Sequence, residues 1–137
     1  MAYSRRTGQR HVKQHLSADT ISAGELVQYD EAGEVISAVT AKEVLGIALQ
    51  AATNADTVLI DELFPGDEVE ITGITGTMAA SEIGNEADLV SGGLTVTLTE
   101  SNGDVVITGW DGTTTTKLYA EFKNLVHGSP GAGVQTT

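Results

Sequence analysis

Residues 94–108 read LTVTLTESNGDVVIT, and this stretch decides the fold class. Over residues 94–99 every apolar residue is followed by a threonine. Such alternation is typical of a β-strand with one buried face, because successive side chains point to opposite faces of a sheet. Asn102-Gly103 has the composition of a tight turn, and residues 105–108 form the next strand candidate. The stretch therefore predicts two short strands around a turn.

The same pattern of short strands and turns continues on both sides of this stretch. Further strand candidates are residues 25–29, 34–39, 44–49, 57–60, 68–72 and 117–122. Turn signals rich in Gly, Pro and Asp lie at residues 30–33, 64–67 and 111–112. Helical periodicity is weak throughout, although residues 82–89 could form one or two helical turns. The sequence therefore predicts an all-β domain.

Composition excludes several classes of protein. The chain has 137 residues, which suits a single domain, and it contains no cysteine, which excludes disulfide scaffolds and thiolate zinc sites. Its net charge of −12 argues against nucleic acid as a partner, since phosphate binding needs clustered lysine and arginine. The longest apolar run, residues 44–49, is far shorter than the roughly 20 residues that span a bilayer. We therefore expect a soluble protein that binds no membrane.

Charge is divided unevenly along the chain. Residues 1–15 contain no acidic side chain, and their net charge is +4. The remaining residues carry three basic and 19 acidic side chains, a net charge of −16. A basic segment on an acidic body is suited to binding an acidic neighbour. The residues predicted to make this contact are Arg5, Arg6, Arg10 and Lys13.

Three segments follow from charge and composition. Residues 1–20 lack a sustained apolar period, so we predict an extended N-terminal arm there. Residues 21–127 contain the strand candidates and form the predicted β domain. Residues 128–137 begin with GSPGAG, which predicts a flexible glycine-rich tail.

The histidines and carboxylates do not form a recognisable site for chemistry. His11 and His15 would need a third ligand to hold a metal ion, and their cationic neighbours oppose one. His127 precedes the glycine-rich tail and is expected to be solvated. Six acids crowd residues 56–70 without the spacing of a calcium loop, which predicts a solvated acidic face. No nucleophile, base and orienting group occur together, so we predict no enzyme, no metal and no cofactor.

Three aromatic residues near the C-terminus have two possible roles. Trp110, Tyr119 and Phe122 are interpreted as core residues or as contacts between subunits. An alternative from another class is a carbohydrate-binding β-sandwich that uses Trp110 and Tyr119 as its binding surface.

The order of strands and turns over residues 20–72 resembles the small capsid decoration (cement) proteins of tailed bacteriophages. The resemblance is carried by SAGELV at residues 22–27, GEV at 33–35 and VLGIA at 44–48. It continues through TVLI at 57–60 and PGDEVEI at 65–71. The second half is similar in style, through its threonine-rich strands and Trp110-Asp111-Gly112.

This resemblance implies a small β-barrel or β-tulip-like domain that forms a homotrimer on the outer surface of the capsid. Such a protein would be made in the host cytoplasm, bind the major capsid protein and stabilise contacts between capsomers, with no enzymatic activity or cofactor. An extended N-terminal arm across a neighbouring subunit is common in the family. The alternatives are another virion β module, such as a head-fibre base or a tail adaptor, and the carbohydrate-binding sandwich.

Overall fold

The computed structural model describes residues 3–38, 43–90, 95–98 and 103–127. This part of the chain forms twelve strands and one short 3-10 helix, Ala80–Glu82, so the all-β prediction is confirmed. The strands are β1 (Tyr3–Arg5), β2 (Val12–Leu16), β3 (Leu26–Tyr29), β4 (Val35–Ser37), β5 (Gly46–Ala48), β6 (Thr57–Glu62), β7 (Val69–Ile71), β8 (Ile74–Thr75), β9 (Glu86–Leu89), β10 (Val96–Thr97), β11 (Val105–Gly109) and β12 (Leu118–Phe122).

The strands are arranged in two sheets. The seven-stranded sheet has the order β1-β7-β12-β11-β9-β10-β8 and forms a half-barrel. The five-stranded sheet has the order β2-β6-β5-β3-β4. Paired strands are antiparallel except β8 and β10, which are parallel. Because β1 and β2 belong to different sheets, the N-terminal segment connects the two.

The two edge strands of the five-stranded sheet, β2 and β4, approach each other at one end. Just beyond β2, Ser17 forms a parallel bridge with Val35 of β4, the strand at the opposite edge. The Ala18 N–H also donates to the Val35 carbonyl at 2.9 Å. One face of this sheet carries a cluster of buried apolar residues: Ile21, Val27, Val35, Leu45, Ala48, Ala52, Val58 and Ile60. This half of the molecule is therefore a small barrel-like unit.

The larger core contains side chains from both sheets. Leu26 and Ile47 come from the five-stranded sheet, and Ile71, Leu118 and Phe122 come from the seven-stranded sheet. Burial alternates along β12, as expected where one face of a strand packs on the core. At Gly46 a Cβ atom would lie only 2.2 Å from the Asp61 carbonyl oxygen, so the pairing of β5 with β6 requires glycine there.

Most of the predicted strands are present, but two local predictions are wrong. Residues 86–89 form β9 and not a helical turn, because this segment pairs with both β10 and β11. As β9 lies between them, β10 and β11 do not form a hairpin around Asn102-Gly103. Asn102 itself lies outside the described residues, as do residues 128–137 of the predicted tail.

The N-terminal segment differs from the predicted extended arm. Residues 3–5 pair with β7, and the Tyr3 side chain is fully buried in the larger core. Residues 12–16 pair along their whole length with β6. Although residues 3–16 are too poor in apolar side chains to form a core of their own, strand pairing and the Tyr3 anchor hold them to the domain. The same chain therefore provides the surface on which this segment lies.

Candidate functional site

Arg5, the first residue of the predicted contact set, is paired within its own chain. Its Nε donates to Oδ2 of Asp61 at 3.0 Å, and its Nη2 donates to Oδ1 of the same carboxylate at 2.8 Å. The Asp67 carboxylate lies 2.7 Å from Nη1. Both carboxylates and the guanidinium are largely buried. Arg5 therefore joins β1 of one sheet to β6 of the other and is not available to a partner.

Arg6 is also engaged inside the chain. It forms an ion pair with Glu68, which accepts a further hydrogen bond from the Thr108 hydroxyl. Although partial burial opposes it, hydrogen bonds from Thr108 and Arg6 lower the pKa of Glu68. The Arg6 guanidinium lies 3.9 Å from the centre of the Tyr119 ring. This contact covers one face of the Tyr119 ring and leaves less of the ring for the stacking that the carbohydrate-binding alternative requires.

The other two predicted contact residues are exposed. The Arg10 side chain is 62% exposed and lies 3.8 Å from Asp61 at its closest approach. Lys13 is exposed on β2, the edge strand of the five-stranded sheet. Of the four cations predicted to bind a neighbour, only Arg5 has a largely buried side chain. Arg6 keeps 44% of its side chain exposed although it is paired with Glu68, and Arg10 and Lys13 are exposed.

Three exposed apolar side chains lie on β2 and the neighbouring strand β6. Val12 and Leu16 of β2 are 44% and 42% exposed, and Leu59 of β6 is 39% exposed. Leu59 is the register partner of Gln14, so Val12, Leu16 and Leu59 lie on one face of the paired strands. We call Arg10, Val12, Lys13, Leu16 and Leu59 the β2 edge surface. It combines exposed apolar area with positive charge on a protein that is otherwise strongly acidic.

A second cluster collects all three histidines, which the sequence placed in the arm and beside the tail. His15 and His127 each place Nε2 2.6 Å from a different oxygen of the Glu62 carboxylate. His127 also stacks on Phe64 with 4.7 Å between ring centres, and His11 contacts the same ring at 4.5 Å. His127 is therefore only partly solvated. The residues that hold the three histidines together are Glu62, at the end of β6, and Phe64, in the loop that follows.

The acidic stretch at residues 56–70 is a solvated face only in part, since Asp56 is exposed but two of its carboxylates are not. Asp61 and Glu62 are both buried, at 1% and 2% exposure. Their charges are compensated by Arg5 and by the hydrogen bonds with His15 and His127. No local spacing in the sequence signals these contacts, since the partners come from distant parts of the chain.

The three predicted aromatic residues have different environments. Phe122 is buried in the larger core, where its ring centre lies 6.3 Å from that of Tyr3. Trp110 is half-buried against that core and donates its indole N–H to the Thr114 carbonyl at 2.9 Å. Tyr119 is half-buried beneath Arg6. The core interpretation therefore holds for Phe122.

A metal site and a membrane-spanning helix each need a recognisable arrangement of residues. Among residues 3–38, 43–90, 95–98 and 103–127, no three His, Asp or Glu side chains are arranged to hold a metal ion. No helix within these ranges has the length and apolar character needed to cross a membrane.

Comparison with known proteins identifies a structural neighbour. No protein-family model matches the sequence, and no curated protein matches it either. Among solved structures, the chain is similar to the N base of the head fiber protein gp8.5 of bacteriophage phi29, with a TM-score of 0.60. The match covers 83% of this chain and 94% of that one at 9% sequence identity. At this identity the similarity establishes a shared fold.

Proposed function

We propose that this chain is a structural protein of a tailed-bacteriophage virion that attaches to the outer surface of the head. The observation that carries the proposal is the fold similarity to the phi29 head fiber N base, which extends over 94% of that chain. A match of this extent relates whole domains rather than one shared hairpin. The sequence pattern over residues 20–72, which resembles capsid decoration proteins, supports a head protein independently.

Within the head, we favour the base module of a fibre or similar appendage. The structural neighbour is itself such a base, and its fold is matched nearly completely. A decoration protein that stabilises contacts between capsomers is the second candidate, because the strand and turn pattern favours it. Both roles are structural, so the proposal includes no catalytic activity.

The proposed partner is the major capsid protein, and the proposed assembly is a homotrimer. The β2 edge surface supports a partner with acidic groups, since Arg10 and Lys13 are exposed beside Val12, Leu16 and Leu59. Neither nucleic acid nor membrane is part of the proposal, because the rest of the chain is strongly acidic.

Quantitative mass spectrometry of purified virions tests the proposal and separates the two roles. A decoration protein is expected at a high, symmetry-related ratio to the major capsid protein, whereas a fibre base is expected at fewer copies. Particles made without the gene provide the control for contamination. Absence of the protein from washed virions that contain the other head proteins would refute a role in the mature particle.

A further inference from the structure

β2 is an edge strand with one unpaired side. In the described part of the chain its ladder partner is β6, and the sheet order ends at β2. The parallel bridge between Ser17 and Val35, in which the Ala18 N–H donates to the Val35 carbonyl, also engages the Leu16 carbonyl at the end of β2. Before that bridge, residues 12–15 present one row of backbone groups to their surroundings.

Register shows which backbone groups these are. At one end of the ladder the Glu62 N–H donates to the His11 carbonyl at 2.8 Å. At the other end the Ser17 N–H donates to the Asp56 carbonyl at 2.8 Å. In an antiparallel pair the bonded residues alternate, so Lys13 and His15 also direct their backbone groups toward β6. The N–H and C=O groups of Val12 and Gln14 and the N–H of Leu16 consequently point outward.

The side chains around this outward row have a definite chemistry. On one face lie the exposed apolar side chains of Val12 and Leu16, with Leu59 beside them. On the opposite face lies Lys13, and Arg10 precedes the strand. No acidic residue occurs in residues 1–15. An extended segment with apolar side chains on one face and acidic side chains on the other is therefore complementary to this edge.

We propose that β2 accepts an added β-strand from the partner protein on the phage head, a segment that alternates apolar and acidic side chains. The inference rests on the proposed function, for which it names the attachment surface. Backbone hydrogen bonds to Val12 and Gln14 provide the binding energy, and the β2 edge surface selects the partner.

A second copy of this chain is a poorer occupant of the same edge. Antiparallel pairing of two β2 strands about Gln14 places both Lys13 side chains on one face as diagonal neighbours, where like charges repel. Each copy also carries a net charge of −12, which adds long-range repulsion. Acidic side chains on a partner strand replace the local repulsion between the lysines by attraction to Lys13.

A proline substitution at position 14 tests the proposal. Gln14→Pro removes one outward N–H and leaves the ladder with β6 intact, since proline is tolerated on the unpaired side of an edge strand. Gln14→Ala is the matched control, because it shortens the same side chain and keeps the N–H. Each protein is added to heads produced without the gene, and bound protein is quantified after sedimentation, while melting temperatures report the fold.

The proposal expects Gln14→Ala to bind as the unmodified protein does, and Gln14→Pro to bind at least about tenfold more weakly. If Gln14→Pro does not fold, the double variant Val12→Thr, Leu16→Thr is used in its place. It is expected to bind the heads more weakly than the unmodified protein does. If either folded variant binds as the unmodified protein does, the added-strand inference is overturned. The proposed function is not affected by that result.

Two further outcomes are distinguishable from these. If the unmodified protein does not bind the heads, the proposed function fails, and the inference fails with it. If the protein in isolation sediments as an oligomer that Gln14→Pro dissociates, the edge is occupied by a second copy, and the partner strand is contradicted.

Discussion

Arg5 and Asp61 form a bidentate ion pair that connects the two sheets, with N to O distances of 3.0 and 2.8 Å. Arg5 ends the first strand of the seven-stranded sheet, and Asp61 lies in β6 of the five-stranded sheet. The N-terminal segment, which its positive charge predicts to be an arm, thus helps to stabilise the domain. Its later part, from Arg10 to Leu16, offers exposed cationic and apolar side chains to a partner.

Loss of the Arg5 guanidinium is expected to destabilise the fold. Arg5→Met leaves the buried Asp61 carboxylate without its main cation, and we expect the free energy of unfolding to fall by about 3 kcal/mol. Arg10→Met is the matched control, since its exposed side chain is expected to contribute less than about 0.5 kcal/mol. Urea denaturation of the three proteins provides the comparison, and equal stability of the two variants would contradict a structural role for Arg5.

The Glu68 carboxylate is expected to make stability depend on pH. Its pKa in the folded protein is lowered from the ordinary value of 4.5, so its contribution is fully present above that value. As pH falls below about 4.5, the unfolded chain takes up the proton first, and the contribution is lost as pH passes through the folded pKa.

Glu68→Gln is therefore expected to be less stable than the unmodified protein at pH 7, with the difference shrinking toward pH 3. Glu121→Gln provides a control on β12, where the carboxylate makes no such contact with Arg6. Chemical denaturation at a series of pH values measures both differences. A gap that stayed constant across this range would show that the Glu68 ion pair does not contribute.

The histidine cluster is expected to stabilise the loop after β6. His127→Ala removes the hydrogen bond with buried Glu62 and the stacking on Phe64, and a loss of about 2 kcal/mol is expected. His11→Ala removes only a tilted ring contact with Phe64 and is expected to cost less. Thermal melts at neutral pH rank the two variants, and the reverse ranking would exclude the observed role of His127.

Phe122 is expected to act in the core of each protomer. Phe122→Ala should lower the free energy of unfolding by about 3 kcal/mol, because it leaves a cavity beside Tyr3. Since the contact lies within one chain, this loss should not vary with protein concentration. Denaturation at two concentrations a hundredfold apart checks the point, and a strong concentration dependence of the loss would instead indicate a subunit contact.

The strands that the sequence predicts well are those with a local signal. β3 and β4 flank a turn at residues 30–33, which begins with Asp and ends with Gly. β5 is a short apolar run, and β12 alternates between buried and half-buried residues. By contrast β9, which reads EADL, has three consecutive buried residues and two acidic ones. Its strand conformation is imposed by β10 and β11 on either side, which no local pattern reveals.

The candidate site could be predicted only in part for the same reason. The basic composition of residues 1–15 distinguishes this segment from the acidic rest of the chain. Two of its cations, Arg10 and Lys13, are exposed. Pairing of Arg5 with Asp61 depends on the packing of two sheets. The meeting of His15 with His127 at Glu62 likewise depends on topology, since spacing along the chain carries no information about it.

The central claim, attachment to the outer surface of a phage head, is tested most directly by cryo-electron microscopy of particles with and without the gene. A difference map calculated with head symmetry is expected to show a small domain on the outer surface, with β2 facing the capsid. Difference density confined to the tail, or the absence of any external difference when the protein is present, would contradict the account.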